Sequence, residues 1–190
     1  MIVSIGGIPG SGKSTIAKML AEKLGYEYVY MGGLRREIAQ KRGMTIQELN
    51  SLGEKEDWTD REVDATLTVM GRTKDNLVID SRVAYHFVPQ SLKVFVTVDS
   101  QVAAERIFKS LGKDSARKNE GTHLTSVESV LASDMKRAAS DRVRYQRYYQ
   151  TDCLDSKNYD LVLDTTTMDI PASFHALYAF VQSHLKSRQK

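Results

Sequence analysis

The sequence predicts an α/β fold: a five-stranded parallel sheet held between layers of helices. Five short runs rich in β-branched and aromatic residues are spaced along the chain, at residues 1–5, 26–30, 77–80, 92–98 and 159–164. Stretches with apolar residues at helical spacing separate them. Alternation of this kind builds parallel sheets whose ligands sit at the carboxyl ends of the strands. The third observation is Gly7-Ile8-Pro9-Gly10-Ser11-Gly12-Lys13-Ser14, between the first strand and the first helix, which fits G-x-x-x-x-G-K-[ST] at every position.

That loop has the context its chemistry needs. Met1-Ile2-Val3-Ser4-Ile5 reads as a buried strand entering it. Ile16, Met19, Leu20 and Leu24 mark a helix leaving it, closed by Gly25 as a left-handed cap. Gly7, Gly10 and Gly12 let backbone N–H groups turn inward around phosphates, with Pro9 and Ser11 completing the curve. The new helix aims its positive end at the same place. Lys13 is positioned to reach the β- and γ-phosphates, the Ser14 hydroxyl to sit on Mg²⁺, and Thr15 follows in the first turn. The segment therefore predicts binding of a nucleoside triphosphate, with ATP and Mg²⁺ as the expected cofactors.

Beyond the second strand, residues 32–74 read as helical with no strand between. Thr45-x-x-Glu48 and Thr59-x-x-Glu62 are both capping-box patterns, and Val63, Leu67 and Met70 form an apolar stripe. Asp60 and Asp64, one helical turn apart, are expected on a solvated face, with base reading as the less favoured alternative. Residues 109–122 are charged and contain glycine, the composition of a mobile lid. Thr125-x-x-Glu128 is expected to cap a long helix reaching about residue 150. A last helix, over about 171–186, carries Phe174, Leu177, Val181 and Leu185 on one face.

The 190 residues suit one domain, 1–190, with a full core. A net charge of +3 is too small to imply nucleic acid or an anionic membrane. Residues 101–150 hold ten Lys/Arg against six acids, which gathers positive charge in one part of the chain and suggests a polyanionic substrate. The one cysteine, Cys153, favours a reducing compartment. The chain opens on a core strand and has no apolar run of membrane-spanning length. The expectation is a cytoplasmic monomer whose partners are small-molecule nucleotides, with no nucleic acid and no membrane.

A phosphate loop says nucleotide, not reaction. No guanine-reading N-K-x-D segment is present, which counts against a switch GTPase, and no second domain is expected for the nucleotide to drive. A helical insertion with a basic lid suits a small-molecule kinase that closes over its acceptor and excludes water. A nucleotide-dependent regulatory ATPase is the reading from a different class. Asp80 ends the third strand, where a carboxylate can hold the Mg²⁺ hydration shell, and Arg82 follows toward the cleft.

Four segments then carry a family resemblance: Gly7 to Ser14; Met31-Gly32-Gly33-Leu34-Arg35-Arg36; Asp80-Ser81-Arg82; and Arg137-Ala138-Ala139-Ser140-Asp141-Arg142-Val143-Arg144-Tyr145. The chain resembles nucleoside monophosphate kinases, and within them cytidylate kinases of the short archaeal type. The resemblance implies a three-layer P-loop NTPase fold, with residues 31–74 as the acceptor-binding insertion and 109–122 as the lid. Arg36 and Arg82 match arginines that grip the monophosphate, and Arg106 matches a residue lying against adenine, with Arg117 as a candidate lid arginine. Lys13, Arg82, Arg137 and Asp80 form the implied catalytic set. The implied acceptor site is Arg36, Arg82, Arg137, Asp141 and Arg144. Bacterial relatives carry a serine where Tyr30 or Met31 stands, and an aspartate where Val83 stands. CMP or dCMP is the expected acceptor, with an adenylate kinase or another small-molecule kinase as the alternative.

Arg137, Asp141 and Arg144 return to nearly the same angle of one helix. The arginines are assigned to the acceptor phosphate and Asp141 to the amino group of the base. Loss of Asp141 is expected to damage CMP use while leaving the melting temperature nearly unchanged.

Overall fold

In a computed structural model of the chain, residues 1–111 and 124–188 are described. Five strands form one sheet: β1 (Ile2–Gly7), β2 (Glu27–Tyr30), β3 (Leu77–Asp80), β4 (Leu92–Thr97) and β5 (Leu161–Asp164). All neighbours pair in parallel, in the order β2-β3-β1-β4-β5. The five-stranded parallel sheet predicted from the sequence is therefore present, with every carboxyl end at one edge. The chain runs from β1 outward in both directions, and the phosphate loop leaves β1 where the strand order diverges.

The remaining elements are helices α1 (Lys13–Leu24), α2 (Met31–Lys41), α3 (Ile46–Gly53), α4 (Trp58–Thr73), α5 (Ala84–Phe87), α6 (Ser100–Ser110), α7 (Val127–Tyr149) and α8 (Ile170–Arg188). Continuous apolar runs explain why β1, β3 and β4 lie in the middle. All of β1 and β3 is buried, as befits strands covered on both faces. One apolar cluster joins β1 and β4 to α1 and α8 through Ile16, Leu20, Leu177 and Val181. A second joins β3 to α2, α3 and α4 through Ile38, Leu49, Val63 and Leu67. Gly25 closes α1 in the left-handed conformation, as expected.

Residues 31–73 hold three helices and no strand, in keeping with the sequence reading. Thr45 makes the expected capping box with Glu48. The second pattern, at Thr59 and Glu62, does not cap. Helix α4 begins at Trp58 with Asp57 at the cap, two residues earlier than the pattern places them. Thr59 is buried and gives its hydroxyl to Glu56 O and Asp60 Oδ2. The cap of α7 is likewise Ser126 with Ser129, one residue beyond the expected Thr125 and Glu128. Two adjacent hydroxyl residues can each start a helix, and the extended backbone of Ser126 decides between them. Of the expected lid, residues 109–110 end α6 and residue 111 caps it. The rest of it, with Arg117, lies outside the described residues.

Candidate active site

The donor side is built on the turn from β1 into α1. Gly7 and Gly10 have φ of 144° and 78°. A Cβ on Gly7 would approach Val96 O to 2.2 Å, and one on Gly10 would approach Ala103 O to 2.7 Å, so only glycine fits either place. Among the described residues, the Ser11 hydroxyl is buried and makes no hydrogen bond. The carbonyl of Ser11 accepts the Thr165 hydroxyl at 3.0 Å, which ties the loop to the turn after β5. Asp80, at the end of β3, is 2% exposed and stands 3.7 Å from Lys13 Nζ. Its other oxygen accepts the Tyr28 hydroxyl at 3.2 Å. Burial, and then the neighbouring Asp80, push the Tyr28 phenol well above its ordinary value, so it stays a donor.

Arg106 does not lie on a solvated helix face. Its guanidinium donates to the carbonyls of Thr165 at 2.8 Å and Met168 at 3.2 Å, the turn between β5 and α8. It thereby fixes the same turn that Thr165 bonds to the phosphate loop.

On the other side of Asp80, Arg82 pairs with Asp141 of α7. Asp141 also pairs with Arg144, and Arg144 with Asp60 of α4. Asp60 holds Arg35 as well, at 2.9 Å. Arg35 continues to Asn50 Oδ1 at 3.0 Å and to Thr59 O at 2.8 Å. Asp60, Asp141 and Arg144 are all buried, with Arg144 only 1% exposed. The exposed salt-bridge ladder that helical spacing alone allows is therefore overturned, and so is the solvated face expected for Asp60 and Asp64. Burial works against the charge on Asp141, but Arg82, Arg144 and Arg137 together hold its carboxyl below the usual range. The expectation that losing Asp141 would spare stability falls with it, because the buried Arg144 and the half-buried Arg82 both pair with that carboxylate. Arg36 of α2 donates to the Tyr30 hydroxyl at 2.5 Å. Arg137 lines a cavity of about 510 Å³ between α3 and α7, together with Asn50, Ser51, Glu54 and Ser140.

A model of the cytidylate kinase-like family matches residues 2–167. The chain belongs to that family. As a cytidylate kinase-like protein it is 33% identical over 186 residues to a cytidylate kinase of Haloarcula marismortui, which covers 95% of this chain and 91% of that one. It is 35% identical over 170 residues to a cytidylate kinase of Natronomonas pharaonis, covering 88% and 82%. In fold it resembles a shikimate kinase of Bacteroides thetaiotaomicron, with a TM-score of 0.64 at 14% identity and 98% of each chain covered. The cytidylate kinase-like chain is thus a nucleoside monophosphate kinase by family, and it shares its α/β fold with that structure.

Several members of this kinase's network carry no motif. Tyr28, Tyr30, Asn50 and Asp60 are brought together with it by strand pairing and by α4 packing near α7. The one local signal is Gly32-Gly33, separated from Tyr30 by Met31 in the first turn of α2, an unusual composition for a helix start.

Asp64, a turn beyond Asp60, accepts the Tyr149 hydroxyl at 2.6 Å. Burial, with Asp60 nearby, pushes its carboxyl up to about 7 despite that bond. In the folded state Asp64 therefore keeps its proton to a higher pH than in the unfolded chain. Its contribution to stability is present near pH 4 and is lost as pH rises toward 7. Asp64→Asn should remove this component, since an amide still accepts from Tyr149 and does not titrate. Chemical denaturation at pH 5 and pH 8 checks it. The variant should gain relative to the parent at the higher pH, and an unchanged difference would contradict the assignment.

Proposed function

We propose that this kinase transfers the γ-phosphoryl group of ATP to CMP or dCMP, giving ADP and the cytidine diphosphate. The observation that supports the reading is that Asp80 faces Lys13 at the end of β3, with Arg82 two residues on and Arg36 bonded to Tyr30, the register partner of Asp80. Phosphoryl transfer asks a protein mainly for position and positive charge, because the transferring group is loosely bonded at the transition state. Here the loop from Gly7 to Thr15 would hold the triphosphate, with Arg106 fixing the turn beside it. The buried Ser11 hydroxyl without a partner, the inward glycines and Lys13 fit such an anion. Ser14 and Asp80 supply the hard oxygen ligands that Mg²⁺ favours. When bound, that ion would neutralise charge between the phosphates.

On the acceptor side, Arg36, Arg82 and Arg137 would take the monophosphate. Arg144, held between Asp60 and Asp141, would keep the Asp141 carboxylate turned toward the base. A carboxylate has about four acceptor positions, and Arg82 and Arg144 occupy two of them, which leaves capacity for an amino group. Cytosine and adenine present such a group, whereas uracil presents a carbonyl that a carboxylate repels. No general base is required, because the acceptor phosphate is itself a nucleophile.

The curated relatives named as cytidylate kinases favour the cytidine nucleotide over adenylate. The residues are read as acting within one cytoplasmic monomer on small nucleotides. The purified protein should phosphorylate CMP with a kcat/KM at least about tenfold above that for UMP, the difference one charged hydrogen bond supplies. A panel of CMP, dCMP, UMP and AMP under matched ATP and Mg²⁺ measures it. UMP used as well as CMP would remove the base assignment, and AMP used best would make this an adenylate kinase.

A further inference from the structure

Two tyrosines at the end of β2 have no place in the assignment above, yet each touches one side of it. Tyr28 and Tyr30 stack with centroids 6.4 Å apart and planes within 9° of parallel. They lie on one face because side chains two apart on a strand point the same way. The Tyr28 hydroxyl donates to Asp80 Oδ2 at 3.2 Å, while Asp80 Oδ1 faces Lys13. The Tyr30 hydroxyl accepts from Arg36 at 2.5 Å. Parallel pairing sets this arrangement, for Tyr30 is the register partner of Asp80 itself.

The backbone beside Tyr30 is shaped around its ring. A Cβ on Gly32 would come within 2.9 Å of Tyr30 Cε2, and one on Gly33 within 2.8 Å of Cδ1. Glycine is a poor helix former, and here two stand in the first turn of α2. What they provide is room for an aromatic ring flat against the helix start. Packing alone would be served as well by phenylalanine, so the bonded hydroxyls are what remains to explain.

We propose that Tyr28 and Tyr30 are a positioning pair, in which Tyr28 aims the Asp80 carboxylate on the donor side and Tyr30 aims the Arg36 guanidinium on the acceptor side. The pair spans the gap that the phosphoryl group crosses, on one rigid strand end. It rests on the phosphotransfer reading and adds two residues to it. Neither tyrosine touches the reacting atoms in this role. Each adds a directional bond to a charged group that already has another contact, Lys13 for Asp80 and Gly32 O for Arg36.

The two hydroxyls should separate cleanly. Tyr30→Phe is expected to raise the KM and the calorimetric Kd for CMP about tenfold, as loss of a hydrogen bond to a charged group implies. Its kcat and its affinity for a non-hydrolysable ATP analogue should stay within about twofold of wild type. Tyr28→Phe should do the reverse. It should weaken the Mg²⁺-dependent gain in binding of that analogue by about fivefold or more, at unchanged CMP affinity. Gly33→Ala adds a test of opposite sign. A helix that merely tolerates glycine would gain melting temperature and keep its CMP affinity, whereas a displaced Tyr30 ring raises the Kd for CMP. Unchanged binding in both phenylalanine variants, or equal effects on both ligands, would overturn the pair. Wild-type protein inactive with every acceptor would instead overturn the phosphotransfer reading on which it rests.

Discussion

Lys13→Ala is expected to lower turnover by about three orders of magnitude or more, the scale seen when a charge aimed at a developing transition state is removed. Lys13 leads α1 directly out of the glycine loop, and its ammonium stands 3.7 Å from Asp80. Replacement removes a cation at the transferring group without touching the glycines that turn the backbone. The fold should persist, because Asp80 keeps the Tyr28 hydroxyl. ADP should still bind through the loop amides. A coupled assay for ADP release gives the rate, and circular dichroism confirms the fold. Near-normal turnover in a folded variant would remove Lys13 from the chemistry.

Asp141→Ala should be the most disruptive change on the acceptor side, and for two separable reasons. The carboxylate is 2% exposed and pairs with both Arg82 and Arg144. Removing one partner of a buried ion pair leaves charge uncompensated and costs about 3–5 kcal/mol. For a chain of this size that lowers the melting temperature by roughly 10 °C. Asp141→Asn keeps the volume and one acceptor oxygen, so it should retain more stability while losing the charge. Its amide can also donate to a carbonyl, so the ratio of CMP to UMP kcat/KM should fall by about one to two orders of magnitude. Melting curves and acceptor kinetics on both variants check this. A ratio unchanged in Asp141→Asn would leave the residue with a purely structural part.

What was legible in the sequence was local. The phosphate loop is contiguous, its flanks are a strand and a helix, and its glycines are needed for close approach of backbone, so the motif and the geometry coincide. The sheet was legible because β1 and β3 are buried on both faces and therefore read as continuous apolar runs. The long-range polar network was not. Arg144 meets Asp60 across 84 residues and Tyr28 meets Asp80 across 52. Periodicity places Asp60 and Asp64 on one face of α4 but does not say that α7 covers that face. The same blindness left Arg137, Asp141 and Arg144 as a stripe on one helix, with no sign of the partners that Arg82 and Asp60 supply. The bonding of Arg106, which the resemblance places against adenine, was hidden for a related reason. Its partners are carbonyl oxygens of a turn, which no side-chain pattern records. The Thr59 pattern failed because its hydroxyl is used inside, beside Asp60.

The claim at the centre is that charge gathered at the carboxyl ends of β1, β2 and β3 moves a phosphoryl group between two bound nucleotides instead of merely cleaving one. Incubation with γ-labelled ATP and Mg²⁺, with and without CMP, followed by separation of products, tests it most directly. The label should appear in CDP in step with ADP formation, with little free phosphate when CMP is omitted. Equal release of free phosphate with and without CMP, UMP, dCMP or AMP, and no labelled diphosphate, would contradict the account and make the protein a nucleotide-hydrolysing regulator.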